Sequence, residues 1–269
     1  SFPSLEHSQA HPWRRVAAVL EAQAQLHAAF CNRPPAIVWG GAFSPCPPFL
    51  QIVARSTLSD VERRFAGVLS PAVLDTYRLF LDHYSVVREH WSRQGGAELI
   101  TLVHGDSHLG NYFFEEETGD DAHTNTPSGE VVDASTMSDV GLHTKRILKT
   151  TARMYDFQCV ACEHPMRDVV YHVMSSVSEG VVREAGGDEG VIRHYLQSFN
   201  AHLTNMNPAI PALKFEDAWR NYRLHACWVL AAWIISAGAG DKLFESEKAR
   251  FILRRISQSC ERVDTRQAL

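Results

Sequence analysis

Apolar positions first fall into a regular pattern over residues 12–31. Val16, Val19, Leu20, Leu26 and Phe30 recur at helical spacing, which predicts an amphipathic helix with Ser8 upstream as a cap. Residues 32–49, NRPPAIVWGGAFSPCPPF, break the pattern. Their prolines remove backbone donors and fix φ, so the stretch is read as loop. A stronger stripe of Val73, Leu74, Tyr77, Phe80, Leu81, Tyr84, Val87 and Trp91 predicts one helix over 71–91. Ser70 is placed as its N-cap and Pro71 as its first helical residue.

The period then shortens. Residues 99–103 (LITLV) are short, β-rich and bounded by a polar segment; 112–114 and 151–157 have the same character. Helical spacing returns over 167–179, with Gly180 as its stop, and over 190–205, 215–237 and 245–263. The predicted class is therefore α+β: helices, two short strand pairs holding a polar loop, then more helices. Between the strand pairs, residues 115–139 carry eight acidic side chains and no lysine or arginine. Such a composition cannot bury a core, and it predicts a solvated surface insertion over about 115–145. No internal repeat is present.

Composition narrows the picture only modestly. With 269 residues, 45% hydrophobic and 21% charged, the chain resembles an ordinary globular protein and is read as one domain over 1–269. A formal net charge of -5 argues against a general nucleic-acid binder. The N-terminal segment SFPSLEHSQAHPWRR has no apolar centre, so no leader is read there. The longest apolar run, 226–237, falls short of the roughly 20 residues a membrane span needs and predicts a buried helix instead. Six cysteines scattered along a chain of this length are read as reduced thiols, and with no membrane segment the expected location is cytoplasmic. The start at Ser1 rather than methionine suggests a piece of a longer polypeptide.

The chemistry concentrates in His104-Gly105-Asp106-Ser107-His108-Leu109-Gly110-Asn111, a polar loop between two apolar strands, and in Met154-Tyr155-Asp156-Phe157-Gln158. Phosphoryl transfer from a nucleotide needs one carboxylate to orient a hydroxyl and take its proton. It also needs oxygen ligands, such as an amide and a second carboxylate, to hold magnesium on the phosphates.

HGDSHLGNYFF resembles the catalytic loop, His-x-Asp-x4-Asn, of the aminoglycoside phosphotransferase and choline kinase superfamily, which has a protein kinase-like fold. MYDFQ is similar to its metal-binding segment, and RDVVYHV, with Asp168, to the segment that follows. QLHAAF at 25–30 brings the sequence nearest the ecdysteroid-kinase-like (CHK kinase-like) branch. The resemblance spans about 18–242 with the motifs in family order. It implies Asp106 as catalytic base, Asn111 and Asp156 as magnesium ligands on the ATP site, and His104 and Asp168 as structural support. It implies ATP and magnesium as cofactors and a hydroxylated small molecule as partner, with no nucleic acid or membrane.

One half of such an enzyme is missing from the sequence. No Gly-x-Gly-x-x-Gly precedes His104, the only glycine pairs there are Gly40-Gly41 and Gly95-Gly96, and the first lysine is Lys145. The fold expected is thus the mainly helical C-terminal lobe, with the N-terminal, nucleotide-gripping lobe absent. Truncation is favoured over degeneration. This chain alone is not expected to work as a kinase, and apolar side chains near Phe43, Phe49 or Val103 are expected to be exposed.

Other readings compete. A catalytically inactive, pseudokinase-like binding protein accounts for the missing lysine. The string GDSH could open a metallophosphoesterase, but His143, His164, His172, His194, His202 and His225 form no matching ligand block. Cys159 and Cys162, with His164, have zinc-like spacing and are read as packed thiols because no second pair accompanies them. Trp219, Tyr222, Trp228 and Trp233 are read as core, with no more than one or two reaching a substrate.

Overall fold

A computed structural model describes residues 12–33, 50–93, 99–119, 146–240 and 245–269. Helix α1 (Trp13–Ala29) forms where its periodicity places it, burying Val16, Val19, Leu20, Gln23, Ala24 and His27. The segment after the proline-rich stretch forms a helix the sequence reading passes over, α2 (Leu50–Arg64). Ala54, Leu58 and Val61 make its buried stripe, while Ile52 stands 71% exposed outside it.

The helix expected over 71–91 is two helices, α3 (Pro71–Asp82) and α4 (Tyr84–Arg93). Ser70 caps α3 as expected, accepting a hydrogen bond from the Val73 N–H at 3.3 Å. His83 leaves helical geometry at φ -98°, ψ 10°. The break is short, because the Val87 N–H still bonds the His83 carbonyl at 3.0 Å. One apolar stripe therefore runs through both helices, with Tyr77, Phe80, Tyr84, Val87 and Trp91 all buried.

Two antiparallel ribbons follow. Strand β1 (Thr101–Val103) pairs with β4 (Ala161–Glu163), Thr101 facing Glu163 and Val103 facing Ala161. Strand β2 (Tyr112–Gly119) pairs with β3 (Arg146–Met154), with a register shift at Glu117/Thr118. This corrects the expected insertion at its near end. Residues 115–119 are strand, and two of their three acidic side chains are matched: Glu115 by Arg153 across the ribbon at 2.9 Å, Glu116 by Arg15 of α1 at 3.0 Å. The rest of the expected insertion, 120–145, lies outside the described residues. The strand expected over 151–157 begins earlier, at Arg146, and ends at Met154, since Phe157–Cys159 form a 3-10 turn.

The remaining chain is helical: α5 (Met166–Ser176), α6 (Glu179–Glu184), α7 (Gly187–Met206), α8 (Phe215–Gly238) and α9 (Ser246–Arg262). The helix expected over 167–179 stops at Val177, whose ψ of 130° is extended; Gly180 sits inside α6 and ends nothing. Helix α8 is the hub and packs on α2, α5 and α9. Its apolar run is buried as expected, along with Tyr222, Trp228 and Trp233; Trp219 is half-buried beside Phe215. A second, smaller cluster of Ala18, Val19, Tyr112 and Ala152 seats the β2–β3 ribbon on α1.

The architecture is thus α+β, mostly helical, with small antiparallel ribbons. No described helix is long and apolar enough to cross a membrane. One expectation fails: Val103 is fully buried, because β1 is paired on one side and covered by α1. Phe43 and Phe49 lie outside the described residues.

Candidate active site

Strand β1 delivers the chain into the polar loop through a fixed turn. Gly105 has φ +82°, and a Cβ there would lie 1.9 Å from the Cys159 carbonyl oxygen, so only glycine fits. The loop's first two amides are held by one carboxylate. The His104 N–H donates to Asp168 Oδ2 at 2.6 Å and the Gly105 N–H to Oδ1 at 2.9 Å. His27 Nε2 lies 3.1 Å from the same Oδ2, and its Nδ1 2.8 Å from the Tyr195 hydroxyl. An ionised carboxylate only accepts, so His27 carries a proton on Nε2, and its Nδ1 accepts a hydrogen bond from the Tyr195 hydroxyl. Burial alone would push the Asp168 carboxyl up; the His27 and Gly105 hydrogen bonds outweigh it and hold it below the ordinary range.

Gln23 completes the support. Its amide donates to Ser107 Oγ at 2.6 Å and to the Tyr112 hydroxyl at 3.0 Å, all three groups being buried. At the loop's far side the Leu109 N–H donates to Ser176 Oγ at 2.8 Å. Helix α5 thus grips the loop near both ends, through Asp168 in its first turn and Ser176 at its last residue.

Buried His104 links the loop to the second motif. Its Nε2–H donates to the Tyr155 carbonyl at 2.8 Å, its Nδ1 accepts from the Asp106 N–H at 3.3 Å, and its ring rests on Phe157 at 4.8 Å. Asp156 follows Tyr155 in left-handed geometry, φ 62°, ψ 61°, with its side chain exposed. Across the ribbon's open end the Tyr155 N–H bonds the Asn111 carbonyl at 3.1 Å, so Asn111 and Asp156 come to the same end of the β2–β3 ribbon.

Asp106 stands at the loop's centre, 22% exposed. His108 Nδ1 accepts from the Gly110 N–H at 2.9 Å, which leaves the proton on Nε2, 3.5 Å from Asp106 Oδ2. Asn111 Nδ2 donates to the Asp106 carbonyl at 2.7 Å and reaches Oδ2 at 3.4 Å. Burial would raise the Asp106 carboxyl, but hydrogen bonds from His108 and Tyr171 hold it below the usual carboxylate range. It is an ionised acceptor at neutral pH, suited to orienting a hydroxyl rather than to strong proton abstraction.

The donor set suits a hard cation. Asn111 spends its amide nitrogen on Asp106, and its Oδ1 takes no hydrogen bond among the described residues. With the exposed Asp156 carboxylate it offers two oxygens, and magnesium commonly uses few protein ligands beside water and phosphate. Among the described residues, no three His, Cys, Asp or Glu side chains gather as a metal cage. Cys159 and Cys162 are free thiols, the first exposed and the second half-buried.

Sequence reasoning gave no role to Gln23, His27, Tyr171 and Ser176, or to Ser107 and His108 within the polar loop it singled out. The first two carried a signal. Val16, Leu20, Gln23 and His27 follow one helical stripe, so two polar side chains interrupt a face that is otherwise apolar.

No family model, curated protein or solved structure matches this chain.

Proposed function

We propose that the protein is an ATP-dependent phosphotransferase acting on a hydroxyl group of a small molecule, built on a protein kinase-like C-terminal lobe. The observation that carries this reading is the joint placement of an ionised Asp106 with Asn111 and Asp156 at one end of a ribbon, locked by Asp168. In this reading Asp106 accepts a hydrogen bond from the acceptor hydroxyl, turns its lone pair toward the phosphorus and receives its proton as the bond forms. Asn111 and Asp156 would hold magnesium, which supplies charge neutralisation on the phosphates when bound. His104 and Asp168 keep the three in register. The order of the HGDSHLGN, YDFQ and RDVVYHV motifs supports the same assignment.

A second reading has its own observation. The chain carries no lysine before Lys145 and no glycine-rich phosphate turn before His104, which suits a nucleotide- or ligand-binding protein without turnover. Calorimetry of ATP with and without magnesium, paired with transfer of labelled phosphate to a panel of hydroxylated small molecules, separates the two. The enzyme reading expects magnesium-dependent binding weakened by Asp156→Ala and, once the chain is joined to a nucleotide-gripping lobe, transfer that falls roughly 10²–10⁴-fold in Asp106→Asn. Binding without transfer favours the second reading. Nucleotide binding indifferent to both magnesium and Asp156 overturns the enzyme reading.

A further inference from the structure

A cavity of about 250 Å³ lies between the α5–α6 turn and α9, and the proposed reaction makes no use of it. Ser178 and Glu179 line it from the turn; Phe251, Arg254, Arg255, Gln258 and Arg262 line it from α9. Its charges are unequally matched. Glu179 is engaged by Arg183 at 2.9 Å, and Arg262 is held by Asp188 at 2.5 and 3.2 Å. Arg254 and Arg255 have no acidic partner among the described residues. Arg255 is half-buried over the Phe251 ring, 4.7 Å from its centroid, and gives one hydrogen bond, 3.1 Å long, to the Ser175 carbonyl.

That bond lets Arg255 cap the negative end of α5, a structural role in itself. It accounts for one of five guanidinium N–H groups and not for the second unmatched arginine that lines the cavity. Burial lowers the Arg255 pKa to about 10, the direction expected where nothing compensates the charge. Arg254 and Arg255 both line the cavity beside Phe251, and each guanidinium is a forked, planar donor that fits a carboxylate or phosphate.

We propose that this cavity binds a small oxyanion-bearing molecule, a carboxylate or phosphate compound, clamped by Arg254 and Arg255. At a liquid share of about 30 Å³ per water, the volume suits a compound from phosphate to a small polycarboxylate in size. The site adjoins the polar loop: Arg255 holds Ser175, and the next residue, Ser176, holds the Leu109 amide. The chain's net charge of -5 would repel anions elsewhere, so the attraction is local to these arginines. The proposal does not depend on the phosphotransferase reading.

The test is calorimetry of the whole chain with inorganic phosphate and with citrate, each against chloride at matched ionic strength. Saturable one-to-one binding of at least one probe is expected, and the two arms tell phosphate from carboxylate preference. Arg254 is exposed, so Arg254→Ala should fold normally and weaken binding roughly 10–100-fold, the loss of one charge-assisted contact. Arg255→Lys keeps the charge but loses the fork, and it should weaken binding too. Arg250→Ala, a charge removed from α9 outside the cavity, should change nothing. No saturable binding above the chloride control, unchanged affinity in Arg254→Ala, or an equal loss in Arg250→Ala would each overturn the proposal.

Discussion

Replacing Asp168 by alanine should cost more stability than any surface substitution, because one buried carboxylate satisfies three donors. The His104 and Gly105 amides and His27 Nε2 would each lose their acceptor in a site closed to water. A buried donor left unsatisfied costs about 1–3 kcal/mol, and breaking a buried charged pair about 3–5 kcal/mol; the losses share one network and will not sum in full. A cost of about 4 kcal/mol is therefore expected. With a urea m-value near the top of the usual range, about 3 kcal/mol/M, the midpoint should fall by somewhat more than 1 M. Asp168→Asn should rescue little, since its NH₂ would face another donor. The assay is urea unfolding followed by tryptophan fluorescence, with Asp75→Ala as control. Asp75 makes an exposed 3.1 Å pair with Arg78, and its loss should stay within about 0.5 kcal/mol. A midpoint for Asp168→Ala close to that of Asp75→Ala would refute the claim that this carboxylate holds the loop.

Other expectations follow from the same structure. Gly105→Ala forces a side chain onto the Cys159 carbonyl at φ +82° and should unfold the loop, whereas Gly67→Ala, at φ +72° with open space around it, should cost only about 1 kcal/mol; thermal melts of both compare steric with backbone strain. Ser70→Ala removes the α3 cap and should cost about 1 kcal/mol by chemical unfolding, with no change if the Val73 N–H finds water instead. Acid should destabilise the fold through two buried histidines. Burial, with His27 and His90 nearby, holds His164 down at about 3; burial, with His164 and Arg167 nearby, holds His225 well below its ordinary value. Both stay neutral when folded and take a proton when unfolded, so their contribution is full above about pH 6.5 and shrinks as pH falls below it, for His164 down to about 3, by about 1.4 kcal/mol per unit. Urea midpoints between pH 7.5 and 5 should fall accordingly; a flat profile would show that these rings are already charged or exposed.

How much of this was legible beforehand depended on whether a residue's type or its neighbour carried the information. Asp106, Asn111 and Asp156 were singled out by the resemblance of HGDSHLGN and YDFQ to known motifs, and the structure brings the two segments together through the Tyr155 N–H and the Asn111 carbonyl. The α3–α4 stripe was readable because eight apolar residues keep one period, and the pause at His83 escaped notice because it does not disturb that period. Helix α2 was obscured by Ile52, an apolar residue turned to solvent that blurs an otherwise regular Ala54, Leu58, Val61 stripe. The acidic start of β2 misled for a related reason. Glu115 and Glu116 look solvated until Arg153 and Arg15, 38 and 101 residues away, are seen to face them. Gln23 and His27 were the hardest. A polar side chain on a helix is ordinarily a solvent-facing one, and only the approach of β1, β2 and α5 to α1 makes these two a buried brace. The motif residues are legible as a contiguous string, but the residues that hold the loop are fixed by which elements meet. Local pattern therefore finds a polar loop sooner than its supports, and substitutions at Gln23 and His27 test the fold rather than the motif.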